Sequence, residues 1–273
     1  MQKQEDGVKC HMGIFYGFLL CTDIDGTLYN SEKKISDENR AALQHFTAEG
    51  GLFTVATGRT PHEFAGFDRS ILTAPVIASS GSLILDHRTG EALMDMPFEA
   101  DGYDILREID REYPSVIGMF AEDNHTFPRY YREEGDVETL LTAFDFSWHK
   151  AILETQTAEE REVLERELNA RYGDRYVFDS AWYRTVEMHK GDKRTGVEAL
   201  RRLLGERARI VICVGDHTND IPMIRAADIG CAVANGLDVT KAAADYVTVS
   251  NEEHAMAYII DHALAWAKEK NLL

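Results

Sequence analysis

The hydrophobic residues of the chain follow one pattern near its two ends and another pattern in the middle. Near the ends, short continuous apolar runs alternate with amphipathic stretches. Continuous apolar runs are typical of strands that are buried on both faces, and amphipathic stretches are typical of the helices that cover them. This alternation predicts a parallel sheet whose strands are joined by right-handed helical crossovers.

The two end segments should therefore contain alternating strands and helices. The predicted strands are Phe18–Thr22, Leu52–Ala56, Pro75–Ser79, Arg209–Val214, Ile229–Val233 and Tyr246–Val249. The predicted helices are Ser36–Ala48, with Ser36 as its N-cap, Pro61–Ser70, Arg194–Leu204, Asp220–Ala226 and Glu252–Lys268. Serine before the first helical turn, and glycine after the last one, are typical helix boundaries.

The middle of the chain has strands with more alternation and helices with more charge. The predicted strands here are Val116–Ala121, Ser147–Leu153 and Arg175–Ser180, and the predicted helices are Tyr103–Glu112, Val137–Ala143 and Glu159–Tyr172. Alternation is typical of antiparallel sheets with one covered face. We therefore predict an α/β protein with a Rossmann-like parallel core formed by residues 13–82 and 184–273, and an inserted α+β domain at 83–183.

Composition and charge narrow the classes of function. The chain has 273 residues, of which 44% are hydrophobic and 28% are charged, as is usual for a globular protein. Its formal net charge is -18, which disfavours binding to nucleic acid or to an anionic membrane surface. The apolar run from Gly13 to Cys21 is too short to cross a bilayer, and we expect neither a membrane span nor a signal peptide. The first dozen residues are polar and show no pattern.

The four cysteines do not form a recognisable metal site. None belongs to a C-x-x-C pair, so a zinc site is not expected. Cys21, Cys213 and Cys231 lie in apolar runs, where cysteine behaves as a small buried hydrophobe. Reduced thiols are typical of a cytoplasmic protein, which is the location that we expect.

The first candidate site lies in the segment Asp23–Leu28 (DIDGTL), directly after a predicted buried strand. Ligands bind at the carboxyl ends of parallel strands, and residues two apart on a strand point to the same side. Asp23 and Asp25 can therefore face one cleft, with Gly26 allowing a sharp turn. Two neighbouring carboxylates repel each other unless a cation lies between them, and a divalent cation with oxygen ligands fits that need. The alternative is an acidic turn without function.

A second acidic segment, Gly215–Asp220 (GDHTND), follows the predicted strand that ends at Val214. Asp216 lies at the strand end, and Asn219 and Asp220 lie where a helix begins. Three oxygen-bearing side chains in this spacing can hold a metal ion. The alternative is a helix cap in a solvated acidic turn.

Two weaker signals lie between these acidic segments. After the second strand, Thr57 offers a hydroxyl and Gly58 a backbone N–H to a phosphoryl oxygen, although Thr-Gly is also common in ordinary strand-to-helix turns. Before a late helix, Lys190 or Lys193 could neutralise carboxylates and bind phosphate, although most lysines are simply solvated.

Taken together, these segments resemble the haloacid dehalogenase-like phosphatases. DIDGTL, the ATGR segment at 56–59 and GDHTND match three motifs of that family in the same order, and residues 232–236 and 241–247 resemble its closing stretch. The chain is most similar to the Cof-type sugar-phosphatase branch, which has an α/β cap domain inserted after the second motif. Two positions depart from the family pattern: Ser80-Gly81 replaces Asn-Gly, and Arg194 replaces the glycine after the motif lysine.

The resemblance implies a role for each matched residue. Asp23 would be the nucleophile and Asp25 the general acid and base. The catalytic set would be completed by Thr57 and Lys193, with Lys190 as the fallback lysine. Phosphate or substrate would be bound by Gly26, Thr57, Gly58, Lys193 and Asn219. Mg²⁺ would be held by Asp23, Asp25 (through its backbone carbonyl), Asp216, Asn219 and Asp220.

The function implied by the resemblance is Mg²⁺-dependent hydrolysis of a small phosphate monoester through an aspartyl-phosphate intermediate. A hexose phosphate is the expected substrate, and pyridoxal phosphate and a nucleotide-like phosphate stay open. Phosphomannomutase-like phosphotransfer and a phospho-ligand sensor without turnover are the alternatives. In the inserted domain, His125, Arg129 and Arg184 are candidates for substrate contact. The oligomeric state is left open.

Overall fold

The computed structural model describes residues 13–122, 129–142 and 148–273. Its strands are β1 (Phe18–Thr22), β2 (Leu52–Val55), β3 (Val76–Ala78), β4 (Leu83–Leu85), β5 (Ala92–Asp95), β6 (Val116–Glu122), β7 (Arg129–Tyr131), β8 (Lys150–Thr155), β9 (Val177–Trp182), β10 (Thr185–His189), β11 (Ile210–Gly215), β12 (Ile229–Ala232) and β13 (Tyr246–Val247). Its helices are α1 (Asp37–Ala48), α2 (Ala100–Glu112), α3 (Val137–Thr142), α4 (Ala158–Tyr172), α5 (Lys193–Leu204), α6 (Ile221–Ala226), α7 (Asp238–Ala243) and α8 (Ala255–Glu269).

The first sheet contains five parallel strands in the order β13-β12-β11-β1-β2. Every residue of β1, β2 and β11 is buried, because helices cover both faces of the sheet. α1 packs against α8, and α5 packs against α6. The predicted parallel core is therefore confirmed, and strands from the two ends of the chain meet within it where β1 pairs with β11.

The second sheet is antiparallel, with the order β7-β6-β8-β10-β9. One of its faces is covered by the apolar residues of α2 and α4, which form a separate hydrophobic cluster with the strands. Residues of the middle of the chain thus form the antiparallel sheet that their alternating pattern predicts.

The structure places the division between the two sheets differently from the sequence prediction of 83–183. β10 (Thr185–His189) pairs with β8 and β9, so the second sheet extends past residue 183. At the other end, Leu83 and Leu85 of β4 pack in the hydrophobic cluster of the first sheet. We therefore propose that the inserted unit spans about residues 97–190.

A small third sheet, β3-β4-β5, was not predicted. The strand expected at Pro75–Ser79 is β3, and it contacts the main sheet through one parallel bridge between Ala56 and Ile77. Directly after it, Ser79 and Ser80 have φ angles of 48° and 54° and Gly81 has 96°. These left-handed residues reverse the chain, so that β4 pairs antiparallel with β3.

The helix predicted at Pro61–Ser70 is wrong. The segment forms consecutive turns and ends in a single 3₁₀ turn at Arg69–Ile71. Phe64 and Phe67 stack on each other with ring centroids 4.6 Å apart and are buried. Their burial gives the segment the periodicity of a helix, although Gly66 between them disfavours one.

Two further expectations concern the cysteines and the membrane. Cys21, Cys213 and Cys231 are free and buried, as predicted, and Cys10 lies outside the described residues. In the described parts of the chain, no helix combines the length and the apolar character that a bilayer span requires.

Gly81 provides a test of how tightly the third sheet packs on the chain before α5. A Cβ on Gly81 would lie 1.9 Å from the carbonyl oxygen of Asp192, and its φ of 96° strains any other residue. Gly81→Ala should therefore lower the free energy of unfolding by about 2–4 kcal/mol. Gly66→Ala, at a site with no atom within 4 Å of the added methyl, is the control in the same urea titration. Equal stability of the two variants would contradict this packing.

Candidate active site

The carboxyl ends of three parallel strands meet at one cavity. β1 leads to Asp23, β2 leads to Thr57 and β11 leads to Asp216, and these strands are neighbours in the sheet. The cavity has a volume of about 760 Å³. It is lined by Asp23, Asp25, Gly26, Tyr29, Asn30, Ser31, Lys33, Thr57, Gly58, Arg59, Glu63, Lys150, Glu187, Asp216, His217, Asn219 and Asn251. The two acidic segments therefore converge, as their placement after strands indicated.

Lys193 is the lysine that enters this cluster. Its Nζ atom lies 2.6 Å from Asp23 Oδ1 and 2.6 Å from Asp220 Oδ1, and its side chain is 1% exposed. Lys190 instead forms an ion pair with Glu99 near the surface. The geometry thus separates the two candidate lysines in favour of Lys193.

Asp220 organises the second acidic segment. Its Oδ2 accepts hydrogen bonds from the backbone N–H groups of Asp216 (2.9 Å) and His217 (3.0 Å), while its Oδ1 accepts from Lys193. Gly215 has no room for a side chain, because an added Cβ would lie 2.3 Å from the Asp220 carboxyl carbon. Both oxygens of Asp220 therefore have protein donors, and these contacts hold the loop and Lys193.

The donor atoms around Asp23 fit a hard divalent cation. Carboxylate oxygens of Asp23, Asp216 and Asp220 lie within 4.8 Å of one another. The Oδ1 atom of Asn219 is buried and, among the described residues, has no hydrogen-bond partner. Oxygen ligands of this kind suit Mg²⁺, and Asp23, Asp216 and Asn219 are the side chains placed to provide them.

Two carboxylates of the cluster, Asp23 and Asp216, have raised pKa values, because they are buried close to other carboxylates. Burial raises the pKa of Asp23 to about 7, against the opposing effect of Lys193 and with a further increase from Asp220. Burial and Asp220 also raise the pKa of Asp216. For Lys193, burial favours the neutral form, but Asp220 and Asp23 outweigh it and raise the pKa. More positive charge beside Asp23 and Asp216 would stabilise their ionised forms.

Asp25 lines the same cavity but has a different partner. Arg59 donates to both of its oxygens, from Nε at 2.9 Å and from Nη2 at 2.7 Å. The Asp25 side chain is 54% exposed, and the Arg59 guanidinium lies 5.8 Å from the centre of the Tyr29 ring. Both oxygens of Asp25 thus accept from Arg59, and Asp25 must leave Arg59 before it can donate a proton.

Thr57 and Gly58 form the third side of the cavity. Thr57 is buried, and its Oγ1 accepts a hydrogen bond from the backbone N–H of Arg59 at 3.1 Å. The carbonyl of Gly58 accepts from Lys150 Nζ at 3.0 Å. Lys150 belongs to β8, so the second sheet contacts the first sheet directly at the cavity.

Sequence reasoning missed the two residues of the second sheet that line the cavity. The side chains of Lys150 and Glu187 are 4% and 3% exposed, and Nζ lies 3.6 Å from Glu187 Oε1. Glu187 lies on β10, where the sequence Thr-Val-Glu-Met-His alternates polar and apolar residues. That alternation is a strand signal with one polar face, and recognising it would have placed Glu187 on the open face of the sheet.

Two of the three substrate-contact candidates from the sequence, Arg129 and Arg184, do not line the cavity. Arg184 Nη2 donates to Glu154 at 3.1 Å at an exposed position, and Arg129 begins the edge strand β7. His125 lies outside the described residues. Arg194, which departs from the family pattern, pairs with Glu198 on the surface, so that this departure leaves the cavity unchanged.

The chain is similar to known proteins over most of its length. A family model described as haloacid dehalogenase-like hydrolase matches residues 20–260. YxeH of Bacillus subtilis is 28% identical to the chain and covers 92% of it and 99% of its own length. The 5-amino-6-(5-phospho-D-ribitylamino)uracil phosphatase YcsE of Bacillus subtilis is 27% identical and covers 89% of the chain and 94% of its own length. A haloacid dehalogenase-like hydrolase structure from B. subtilis shares the fold, with a TM-score of 0.75 at 23% identity, covering 89% of this chain and 99% of that one.

Metal binding can be measured through stability. Mg²⁺ should raise the unfolding temperature of the protein. Asp216→Asn should lower the affinity for Mg²⁺ at least tenfold, because it removes a carboxylate ligand. Because burial raises the pKa of Asp23 to about 7, the affinity should also increase as the pH rises through that value. Thermal unfolding at increasing Mg²⁺ concentration gives both results.

Asp238→Asn is the control for this measurement, because that side chain is fully exposed and pairs with Lys241. It should bind Mg²⁺ as the parent protein does. An Asp216→Asn variant with unchanged affinity would contradict the candidate metal site.

Proposed function

We propose that this chain, which belongs to the Cof-type branch of the haloacid dehalogenase-like hydrolases, is a Mg²⁺-dependent phosphatase that hydrolyses a small phosphate monoester through an aspartyl phosphate on Asp23. The main support is the buried contact of Lys193 with Asp23 at 2.6 Å, at the point where the ends of β1, β2 and β11 meet. YcsE, which matches this chain over nearly its whole length, is a phosphatase.

In the first step, a carboxylate oxygen of Asp23 attacks phosphorus and the ester oxygen leaves. Asp25, once released from Arg59 and protonated, gives its proton to that oxygen, so that an alcohol departs. Lys193 holds Asp23 in place and, together with Thr57, binds the phosphoryl oxygens. Mg²⁺, held by Asp23, Asp216 and Asn219, would supply positive charge against the charge that develops on the phosphoryl group.

In the second step, water attacks the phosphorus of the aspartyl phosphate. Asp25, now ionised, takes one proton from the water, the bond from phosphorus to Asp23 breaks, and inorganic phosphate leaves. Asp25 is then protonated again for the next cycle. An acid at this position is needed for an oxygen ester, whose leaving group must be protonated. Turnover also separates this proposal from that of a phospho-ligand sensor.

We further propose that the inserted unit is a cap that selects the leaving group. The carboxylate of Glu187 is buried, and its contacts within the described chain are long, at 3.5 Å to Ser80 Oγ and 3.6 Å to Lys150 Nζ. A buried carboxylate requires hydrogen-bond donors, and the cavity beside it is where a substrate would supply them. Hydroxyl groups of a sugar or polyol phosphate fit this need, and the ribityl phosphate in the name of YcsE is a compound of that class.

The nucleophile is tested by Asp23→Asn. The variant should lose at least about three orders of magnitude in kcat, because an amide cannot form the acyl phosphate. Release of free phosphate from p-nitrophenyl phosphate and from a hexose phosphate, with Mg²⁺ present, measures the loss. Asp238→Asn should retain full activity. An active Asp23→Asn variant, or isomerisation of the hexose phosphate without phosphate release by the parent protein, would contradict the proposal.

The selective role of the second sheet is tested by Glu187→Gln. The amide keeps the shape of the side chain but accepts hydrogen bonds from hydroxyl groups less strongly than a carboxylate does. The value of kcat/KM for ribose 5-phosphate or a hexose phosphate should therefore fall about 10–100-fold. For p-nitrophenyl phosphate, which has no hydroxyl groups on its leaving group, kcat/KM should change less than about threefold. Glu154→Gln, on β8 but outside the cavity lining, should affect neither substrate. Equal losses for both substrates would contradict selection by Glu187.

A further inference from the structure

A buried histidine lies at the point where the second sheet connects to α5. His189 is the last residue of β10, and its side chain is 0% exposed. Its Nε2 atom lies 3.0 Å from Asp179 Oδ1 on β9, and its Nδ1 atom contacts the carbonyl oxygen of Gly191. Neither contact has a place in the phosphatase mechanism described above.

Both partners of this ring are hydrogen-bond acceptors. A carbonyl oxygen can only accept, and an ionised carboxylate can only accept, whereas a neutral imidazole has one N–H. With Asp179 ionised, both contacts are hydrogen bonds only if His189 carries protons on both nitrogens. His189 is then an imidazolium that donates in two directions.

The surrounding charges favour that state. The open face of the second sheet has Lys150 on β8, Asp179 on β9, and Glu187 and His189 on β10, and Lys193 approaches from α5. Burial alone would lower the pKa of His189, but Asp179 and then Glu187 raise it above its usual value. Burial alone would raise the pKa of Asp179, but His189, Lys193 and Lys150 lower it. Both directions favour the charged pair, and the stability it adds is lost as the pH rises through the raised pKa of His189.

The Gly191 carbonyl connects this pair to the active site. The N–H of Gly191 donates to Ser82 Oγ, in the turn between β3 and β4, at 3.1 Å, so the N–H and the carbonyl of Gly191 are both hydrogen-bonded. The next residue, Asp192, caps α5 by accepting from the Thr195 N–H at 2.7 Å. Lys193 follows as the first residue of α5, with its Nζ between Asp23 and Asp220. Two peptide units separate the carbonyl that His189 binds from the α-carbon of Lys193.

We propose that His189 and Asp179 form a positioning pair, in which a doubly protonated His189 holds the Gly191 carbonyl and thereby aims Lys193 at Asp23. The proposal rests on the phosphatase function for its effect on turnover, but the protonation of the ring can be measured without turnover. His189 touches neither the cavity nor the phosphoryl group and acts only through Lys193.

The first measurement is an NMR spectrum of the ¹⁵N-histidine-labelled protein near pH 7. The resonances of His189 are assigned by their loss in His189→Gln or, if that variant does not fold, by their change in Asp179→Asn. His189 should show two slowly exchanging ring N–H protons. Asp179→Asn should leave one, on Nδ1, because the asparagine amide can then donate to Nε2. A single ring N–H proton in the parent protein would overturn the proposal, whatever the activity proves to be.

The second measurement is steady-state kinetics with p-nitrophenyl phosphate and ribose 5-phosphate. His189→Gln can keep only one of the two hydrogen bonds, to Asp179 or to the Gly191 carbonyl. Because Lys193 binds the phosphoryl group that both substrates share, kcat should fall at least tenfold for both, in the same proportion. Asp179→Asn keeps both contacts and should stay within about threefold of the parent protein. Arg184→Gln, which breaks an exposed ion pair of the same sheet, is the control for a general effect on that sheet.

The outcomes separate this proposal from the phosphatase proposal. If the parent protein hydrolyses neither substrate, the phosphatase proposal fails, and the NMR measurement still decides the state of His189. If the parent protein is active and His189→Gln folds with unchanged kcat, only the positioning role fails. A loss of activity confined to ribose 5-phosphate would also overturn it, because that result assigns His189 to substrate selection.

Discussion

The buried ammonium of Lys193 is the interaction on which the rest of this structure depends. Its Nζ atom lies 2.6 Å from both Asp23 and Asp220, and these contacts connect the end of β1 with the loop after β11. A buried charge is tolerated only when it is paired, and removing one partner of such a pair typically costs about 3–5 kcal/mol. The cluster therefore fixes the loops of the parallel sheet while it assembles the groups that would act on phosphorus. Asp220 contributes to both roles, because its other oxygen binds the backbone of Asp216 and His217.

The same lysine explains why the second sheet influences chemistry that takes place on the first. Lys193 begins α5 only four residues after the last residue of β10, so a short segment connects the second sheet to the active site. At the cavity, Lys150 of β8 donates to the carbonyl of Gly58, which belongs to the loop after β2. A displacement of the second sheet would thus move both the groups that face the leaving group and the backbone beside Thr57.

Much of this arrangement could be predicted from the sequence, and the failures have physical causes. Continuous apolar runs identified β1, β2 and β11, and the placement of acidic residues directly after them identified Asp23 and Asp216, because parallel strands end at one edge. β4 and β7 have three residues each and give too little periodicity to recognise. The contribution of Glu187 depends on which strands of the second sheet face the cavity, and that is decided by long-range packing rather than by local pattern.

The charge of the protein raises a question that the local structure answers. A chain with a formal net charge of -18 should repel a phosphate ester, and the cavity itself is lined by carboxylates, Asp23, Asp25 and Asp216 among them. Coulomb interactions between exposed charges are screened within about 10 Å in physiological salt, so the distant surface matters little inside the cavity. There, Lys193 approaches from α5, Arg59 from the loop after β2 and Lys150 from β8. A divalent cation beside Asp23 and Asp216 would add two further positive charges and offset the charge of these carboxylates, whereas the protein as a whole stays acidic.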